Sequence, residues 1–439
     1  MTFWLVLVGG IYLALMVYAT TRAYRRTHSV EDYMMAGSRV GVFLGFLTFA
    51  ATLFSTFTLM GMPDFFRLHG VGAWAFLAVS DGAMLFMLLW FGFAIRRRVR
   101  RSGFTGMSGL LRERCGTRWG GYVYFIGVFL FLIPYVAIQI RGLGIFLSAA
   151  FPGTMPVWGW ALAIIVVMLA YSEVGGLKAI IYTDAIQGLL LLVVTWIVAL
   201  GCIREFGSVR EMFEAAGAVD SALLTVPGPQ GLFTTQFLVA SLFAIVFLPV
   251  TQPQLTTRLV IMRSTTTLKR MAVGVGIFMI LVIMPTIAIG MFGAVHHAGT
   301  STPEFLTDVL FRRQSPPIGA LVAIGLIAAA MSTADSQIFA LGAEIRSLLS
   351  GDERTIMLRT KAAIGFFAAC AFVFAVLSSD QLVLLARVSF AGTALLGPLV
   401  LSVILGERKA SSVLEWATSS GLAVFLASLS GVVPSEVAG

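Results

Sequence analysis

Two stretches of the chain set oxygen-bearing side chains among residues that are otherwise almost wholly apolar. The first is Ala50-Ala51-Thr52-Leu53-Phe54-Ser55-Thr56-Phe57-Thr58-Leu59-Met60-Gly61-Met62-Pro63, which gathers hydroxyls and then meets a glycine and a proline. The second is Ala328-Ala329-Ala330-Met331-Ser332-Thr333-Ala334-Asp335-Ser336-Gln337. At helical spacing Ala329, Ser332, Asp335 and Ser336 share one face, with Thr333 and Gln337 on an adjacent stripe. Hydroxyls and free backbone carbonyls are hard oxygen donors, suited to a hard cation that has shed its water. A cage with at most one formal charge matches a monovalent ion better than a divalent one. The competing reading is that these hydroxyls bond to their own backbone or to a neighbouring helix. The residues alone leave both readings open, although Asp335 adds a carboxylate that packing does not need. A third stretch, Pro249-Val250-Thr251-Gln252-Pro253-Gln254, has two prolines four apart, which remove backbone hydrogen bonds and unwind or kink a helix.

The elements that position these groups follow from composition. The chain has 439 residues, 58% hydrophobic and 12% charged, with a mean hydropathy of +0.94. Soluble domains carry about twice that share of charge, which excludes a soluble enzyme, a disordered chain and a disulfide scaffold. Cys115, Cys202 and Cys370 are far apart and form no metal or redox motif; His28, His69, His296 and His297 form no recognisable catalytic set. No cofactor and no catalytic residue is expected. A membrane-crossing helix needs about 20 mainly apolar residues. The sequence predicts an all-α polytopic membrane protein with twelve spans, near 2–21, 41–66, 73–95, 120–148, 157–172, 180–202, 234–257, 271–295, 318–345, 362–379, 381–405 and 411–432.

Of the 30 Lys and Arg residues, 23 fall in alternate loops beginning after the first span and five in the other set, with Arg141 and Arg387 inside spans. By the positive-inside rule the first set is cytoplasmic and both termini lie outside, in the cytoplasmic membrane. The same spread over six loops argues against nucleic acid as a partner; the partners expected are a small solute and the lipid bilayer, with no obligate protein partner. The second and seventh spans cross in opposite senses and both carry helix-breaking sequence. Polar centres at mid-membrane on a broken helix and a partner helix are a pattern of secondary transporters, as are inverted repeats. The domains read as an extra N-terminal helix (1–22), a first repeat of spans two to six (41–202), an inverted second repeat of spans seven to eleven (234–405), and an extra C-terminal helix (411–432).

The motifs in order resemble the sodium:solute symporter family, which has the leucine-transporter fold, from about Ser29 to Gly406. They are Glu31-Asp32-Tyr33-Met34-Met35-Ala36-Gly37, Gln139-Ile140-Arg141-Gly142, Gly175-Gly176-Leu177-Lys178-Ala179 followed by Tyr182-Thr183-Asp184-Ala185-Ile186-Gln187-Gly188, Gln252-Pro253 with Arg258, Met331-Ser332-Thr333, and Ala391-Gly392-Thr393 with Gly397-Pro398. The resemblance implies sodium-coupled symport by alternating access. It implies a sodium site made by the carbonyls of Ala51, Phe54 and Ala329 and the hydroxyls of Ser332 and Thr333. Asp184 resembles a family aspartate near the inner exit path of the ion; the rival reading is a cap or an ion pair, for instance with Lys178. Leu53 departs from the polar or acidic residue that several family members carry there.

The solute is expected beside the ion, with Ser55, Thr58, Asp81, Gln139 and Gln252 as candidate contacts. Each has a rival role: Asp81 as the partner of Arg141 or of another helix, Gln139 as a bridge between helices, Gln252 as a cap on the broken helix. Arg387 reads as an interfacial or paired cation. The alternatives in function are a proton-coupled transporter of the same fold, with Asp335 or Asp81 titrating, and a transporter-like membrane sensor.

Overall fold

The computed structural model describes residues 2–25, 30–102, 104–172, 176–378, 382–406 and 409–429. Ser29, Gly175, Arg408 and the predicted span ends at 379, 381 and 430–432 lie outside the described residues. Among the described residues the chain is helical throughout, with two isolated β-bridges, Val40 to Met262 and Cys115 to Ala410, and no strand.

The first helix is α1 (Thr2–Tyr24). The predicted second span is two helices, α2 (Val42–Leu53) and α3 (Phe57–His69), bent by 57°. Then come α4 (Gly72–Ser102), a short helix α5 (Met107–Arg114), α6 (Trp119–Ala150), α7 (Val157–Ser172) and α8 (Gly176–Phe206). The predicted seventh span is again two helices, α9 (Thr235–Thr251) and α10 (Pro253–Val260), bent by 52°. After these come α11 (Thr265–His296), α12 (Pro316–Leu348), α13 (Glu353–Leu377), the pair α14 (Leu382–Ala394) and α15 (Gly397–Leu405), and α16 (Ser412–Leu429), with shorter helices at Val30–Met35, Val209–Val219 and Thr302–Thr307 in the connections. Eight of the described helices are long and apolar enough to cross a bilayer singly and three bent pairs do so jointly; α7 is a shorter apolar helix.

The helices outrun the apolar stretches that announce them. The predicted span 362–379 begins instead at Glu353, because Asp352 caps the helix by accepting the Thr355 N–H. Ser264 does the same for α11 through the Thr267 N–H, in both cases relieving a donor that the first helical turn leaves without a partner.

Burial sorts the helices into centre and periphery. Some 72% of the most apolar stretch of α6 and 67% of that of α12 is buried, against 11% for α1 and 17% for α16. A helix apolar all round and little buried by protein is one facing lipid. The two broken spans stand at the centre. α2 packs against α8, α11 and α12, and α10 packs against α2, α4 and α12. α3 is pressed onto α11 so closely that a Cβ at Gly290 would stand 2.7 Å from the Pro63 carbonyl oxygen. Only glycine fits that crossing.

Candidate ion and solute site

The site begins with carbonyls that the broken helices cannot use. α2 ends where Phe54 turns extended (φ −95°, ψ 121°). The Phe54 N–H still reaches the Ala50 carbonyl at 2.7 Å, so Ala50 stays paired. The Ser55 N–H, which a continuing helix would give to Ala51, instead goes to Thr58 Oγ1 at 3.1 Å. The Ala51 carbonyl is thereby freed, and α12 supplies its partners. Ser332 Oγ lies 3.0 Å from the Ala51 carbonyl and 3.0 Å from that of Ala329. Thr333 Oγ1 lies 3.3 Å from the Ala51 carbonyl and 3.4 Å from that of Thr52. Ser332 and Thr333 are fully buried. Each hydroxyl has one proton and two lone pairs, so with a cation between them the lone pairs can turn inward. The Leu53 carbonyl, next in line, takes the Tyr135 hydroxyl of α6 at 3.1 Å. Of the five expected ligands, four are thus brought together: the carbonyls of Ala51 and Ala329 and the hydroxyls of Ser332 and Thr333. Phe54 supplies the break itself.

The second break is built alike. Pro253 has no N–H to give the Pro249 carbonyl, and the Thr256 hydroxyl takes that place at 3.0 Å. The Thr251 carbonyl accepts the hydroxyl of Tyr124, also of α6, at 2.9 Å.

On one side of the Ser332 and Thr333 hydroxyls lies a polar network joining four helices. The buried Arg258 of α10 donates from Nη2 to Asp184 Oδ2 of α8 at 2.9 Å and to Ser336 Oγ of α12 at 2.6 Å, and from Nε to Thr48 Oγ1 of α2 at 3.0 Å. Thr48 Oγ1 donates to Asp184 Oδ2 at 2.5 Å, and Thr52 Oγ1 is 3.3 Å from Ser336 Oγ. The ion pair that Asp184 makes is with Arg258, the cation that the curled chain of α10 brings to it. Arg258, one residue beyond the predicted seventh span, is 1% exposed inside the bundle. Asp335 is buried on the same face, and its Oδ1 has no hydrogen-bond partner. A cavity of about 460 Å³ runs from Phe104, Gly106 and Leu349, at the end of the molecule rich in Arg loops, up to Arg258 and Ser336.

On the other side of the break is a small cavity of about 50 Å³ lined by Leu53, Phe54, Phe57, Asp81, Ser241 and Arg387 among others. Asp81 does not pair with Arg141; Arg141 Nη1 reaches the Val376 carbonyl at 3.5 Å. Arg387 is not ion-paired among the described residues but stacks over the Phe237 ring at 4.1 Å. The other solute candidates sit elsewhere. Ser55 Oγ accepts the Phe57 N–H at 3.2 Å and Thr58 Oγ1 accepts that of Ser55, so both serve the break. Gln139 Nε2 donates to the Tyr135 carbonyl at 3.2 Å, leaving Oε1 without a partner. Gln252 Oε1 accepts from Gln254 Nε2 at 2.7 Å, and its own Nε2 is unpartnered. Sequence reasoning placed Ser336 on the polar face but missed Thr48, Ser241 and the two tyrosines. Thr48 was within reach, lying one turn from Thr52.

Two half-broken spans whose free carbonyls are met by hydroxyls of neighbouring helices define a membrane transporter of the leucine-transporter fold. Comparison with known proteins agrees. A structure of a Na+-coupled sialic acid symporter in a substrate-bound outward-open state superposes with a TM-score of 0.77 over 96% of each chain, at 18% identity. The family model described as the sodium:solute symporter family matches residues 33–408, and the chain belongs to that family. A high-affinity proline transporter of Bacillus subtilis, PutP, is 25% identical over 92% of this chain and 86% of its own length. An uncharacterized symporter of the same organism, YhjB, is 24% identical over 51% of this chain, which spans only 46% of that relative.

Proposed function

We propose that the chain is a sodium-coupled importer of a small organic solute. The observation that carries the reading is the meeting of the Ala51 and Ala329 carbonyls with the Ser332 and Thr333 hydroxyls at a helix break. Sodium is cargo here, caged by those four groups and by the Phe54 carbonyl. Its binding would order the break, because the freed carbonyls gain a cation in place of a shared hydroxyl proton. A ligand shifts a conformational equilibrium only through such a differential affinity. The membrane potential adds about 2.3 kcal/mol per charge per 100 mV. No covalent step and no cofactor enters this reading.

The 460 Å³ cavity below Arg258 and Ser336 is the inner exit in this scheme, with Arg258, the partner of Asp184, at its head. The architecture is twelve spans, with spans two to six and seven to eleven as inverted repeats; the support is the pair of matching breaks at 57° and 52°. The basic loops face the cytoplasm and both termini face outward from the cytoplasmic membrane, supported by the loop charge asymmetry.

One observation favours a second reading. Asp335, buried beside the ion cluster with one carboxylate oxygen unpartnered, is placed to carry a proton in sodium's stead. Uptake into proteoliposomes separates the readings. Under sodium coupling, a sodium gradient at equal pH drives accumulation, and Ser332→Ala with Thr333→Ala abolishes that dependence. Accumulation driven by a pH gradient without sodium, and lost in Asp335→Asn, would replace sodium with protons. Saturable binding without any accumulation would make the chain a sensor.

A further inference from the structure

We infer that the solute carries both a carboxylate and a protonated amine, anchored by Arg387 and Asp81; this rests on the reading of the chain as a solute symporter. The cavity beside the break has three polar side chains on its wall, and among the described residues none is satisfied by protein. Asp81 makes no hydrogen bond or ion pair, Arg387 makes only its stack on Phe237, and Ser241 Oγ is buried without a partner. The rest of the wall is apolar, with Phe54, Phe57 and Phe390 prominent.

Opposite charges at membrane depth are costly and normally pair with one another. These two face one cavity and do not touch. A solute with one charge satisfies one of them and leaves the other stranded. A neutral polyol can hydrogen-bond to either group but brings no countercharge to them. A solute with both charges completes two charge-assisted hydrogen bonds at once. The guanidinium is a planar fork that matches a carboxylate, and the Phe237 ring beneath it fixes its plane. Ser241 is left for a third hydrogen bond.

Size narrows the class. The cavity is about 50 Å³, against about 30 Å³ for one water in the liquid, so it widens to take any solute, and a compact one with its apolar body on the phenylalanines asks least. Leu53 and Phe54 belong both to this wall and to the break that carries the ion cluster, so ordering one orders the other. Asp81 also borders an apolar groove between α4 and α11 on the lipid side, which makes an unpaired Asp81 costlier still.

The test uses the purified full chain in detergent, with thermal shift and ligand titration in sodium or potassium chloride. The probes are the twenty protein amino acids, their methyl esters, the matching deaminated acids, and glucose. At least one amino acid should stabilise the protein in sodium. Its ester and its deaminated acid should each bind about 30-fold weaker or worse, the loss of one hydrogen bond to a charge. Arg387→Gln should weaken the amino acid to a similar degree and leave the ester unchanged, and Arg387→Lys should recover part. Asp81→Asn should do the same and leave the deaminated acid unchanged. If a variant fails to fold, the analogue series on the unaltered protein decides alone. Glucose or a singly charged compound binding as tightly as any amino acid, or no amino acid binding, overturns the inference. So does a double variant, Asp81→Asn with Arg387→Gln, that binds like the unaltered protein, since the two charges would then serve each other as a gate. An amino acid bound equally in sodium and potassium leaves the anchors standing and removes sodium coupling; glucose or a lone carboxylate bound only in sodium does the reverse.

Discussion

Arg258 is the side chain on which α2, α8, α10 and α12 converge. Its side chain is 1% exposed and that of Asp184 is fully buried, so neither charge has water to fall back on. Removing one partner of such a pair strands the other and costs about 3–5 kcal/mol. Asp184→Asn and Arg258→Gln should each lower the melting temperature in detergent sharply, whereas the double variant should be more stable than either single one. A double variant that loses the sum of the two single losses would mean that the pair contributes no coupling. The hydroxyls that meet the Ala51 carbonyl stood out in sequence because hydroxyls among alanines contrast with their surroundings. Arg258 was not: an arginine five residues past Pro253 of a helix-breaking Gln-Pro pair reads as the start of a loop. Only the 52° turn at Gln252, which curls α10 back into the bundle, shows that it is interior. The ring under Arg387 was not legible, since an aromatic partner 150 positions earlier in the chain leaves no local trace.

At the scale of elements, the broken spans were the most legible feature, because glycine, proline and clustered hydroxyls all act against a continuous helix. What holds the breaks was invisible. Tyr135 and Tyr124 look like core aromatics in a sequence, yet their hydroxyls take the carbonyls that each break orphans, those of Leu53 and Thr251. Tyr135→Phe keeps the ring and strands the Leu53 carbonyl. We expect a stability loss of about 1–3 kcal/mol, together with a weaker sodium-induced thermal shift, because the freed carbonyl sits two residues from Ala51. Tyr124→Phe should cost a similar amount and leave the sodium shift nearly unchanged. Equal effects of both variants on the sodium shift would argue that the two breaks are not separate.

For the whole molecule, α3, the second half of a broken pair, is tied to the loop after α11. Arg67 donates from Nε and Nη2 to Asp64 Oδ1 at 2.9 and 2.7 Å and from Nη1 to the His297 carbonyl at 2.8 Å, while Thr302 Oγ1 donates to Asp64 Oδ2 at 2.9 Å. The His297 ring stands 3.3 Å from Asp308 Oδ2. Burial pushes its pKa below the ordinary 6.5; Asp308 works against that shift, and Arg313, His296 and Arg67 work with it. A depressed histidine favours the folded state when neutral, so its stabilisation is complete above about pH 6.5 and fades as the pH falls through the depressed value. Between about pH 7.5 and about pH 5.5 the unaltered protein should therefore lose more melting temperature than His297→Gln. Parallel losses would show that the ring does not titrate against folding.

The two tyrosines stand eleven residues apart on a single helix, about three turns, so both hydroxyls leave α6 from the same side. Inserting one residue between them would swing one hydroxyl by about 100° and lift it by about 1.5 Å, detaching a break from its support whatever the inserted side chain. The stretch from Tyr124 to Tyr135 is therefore a ruler. Chains built on this plan are free to vary its lettering, while the number of its divisions is fixed, and an indel scan of α6 should find there a window intolerant of every insertion.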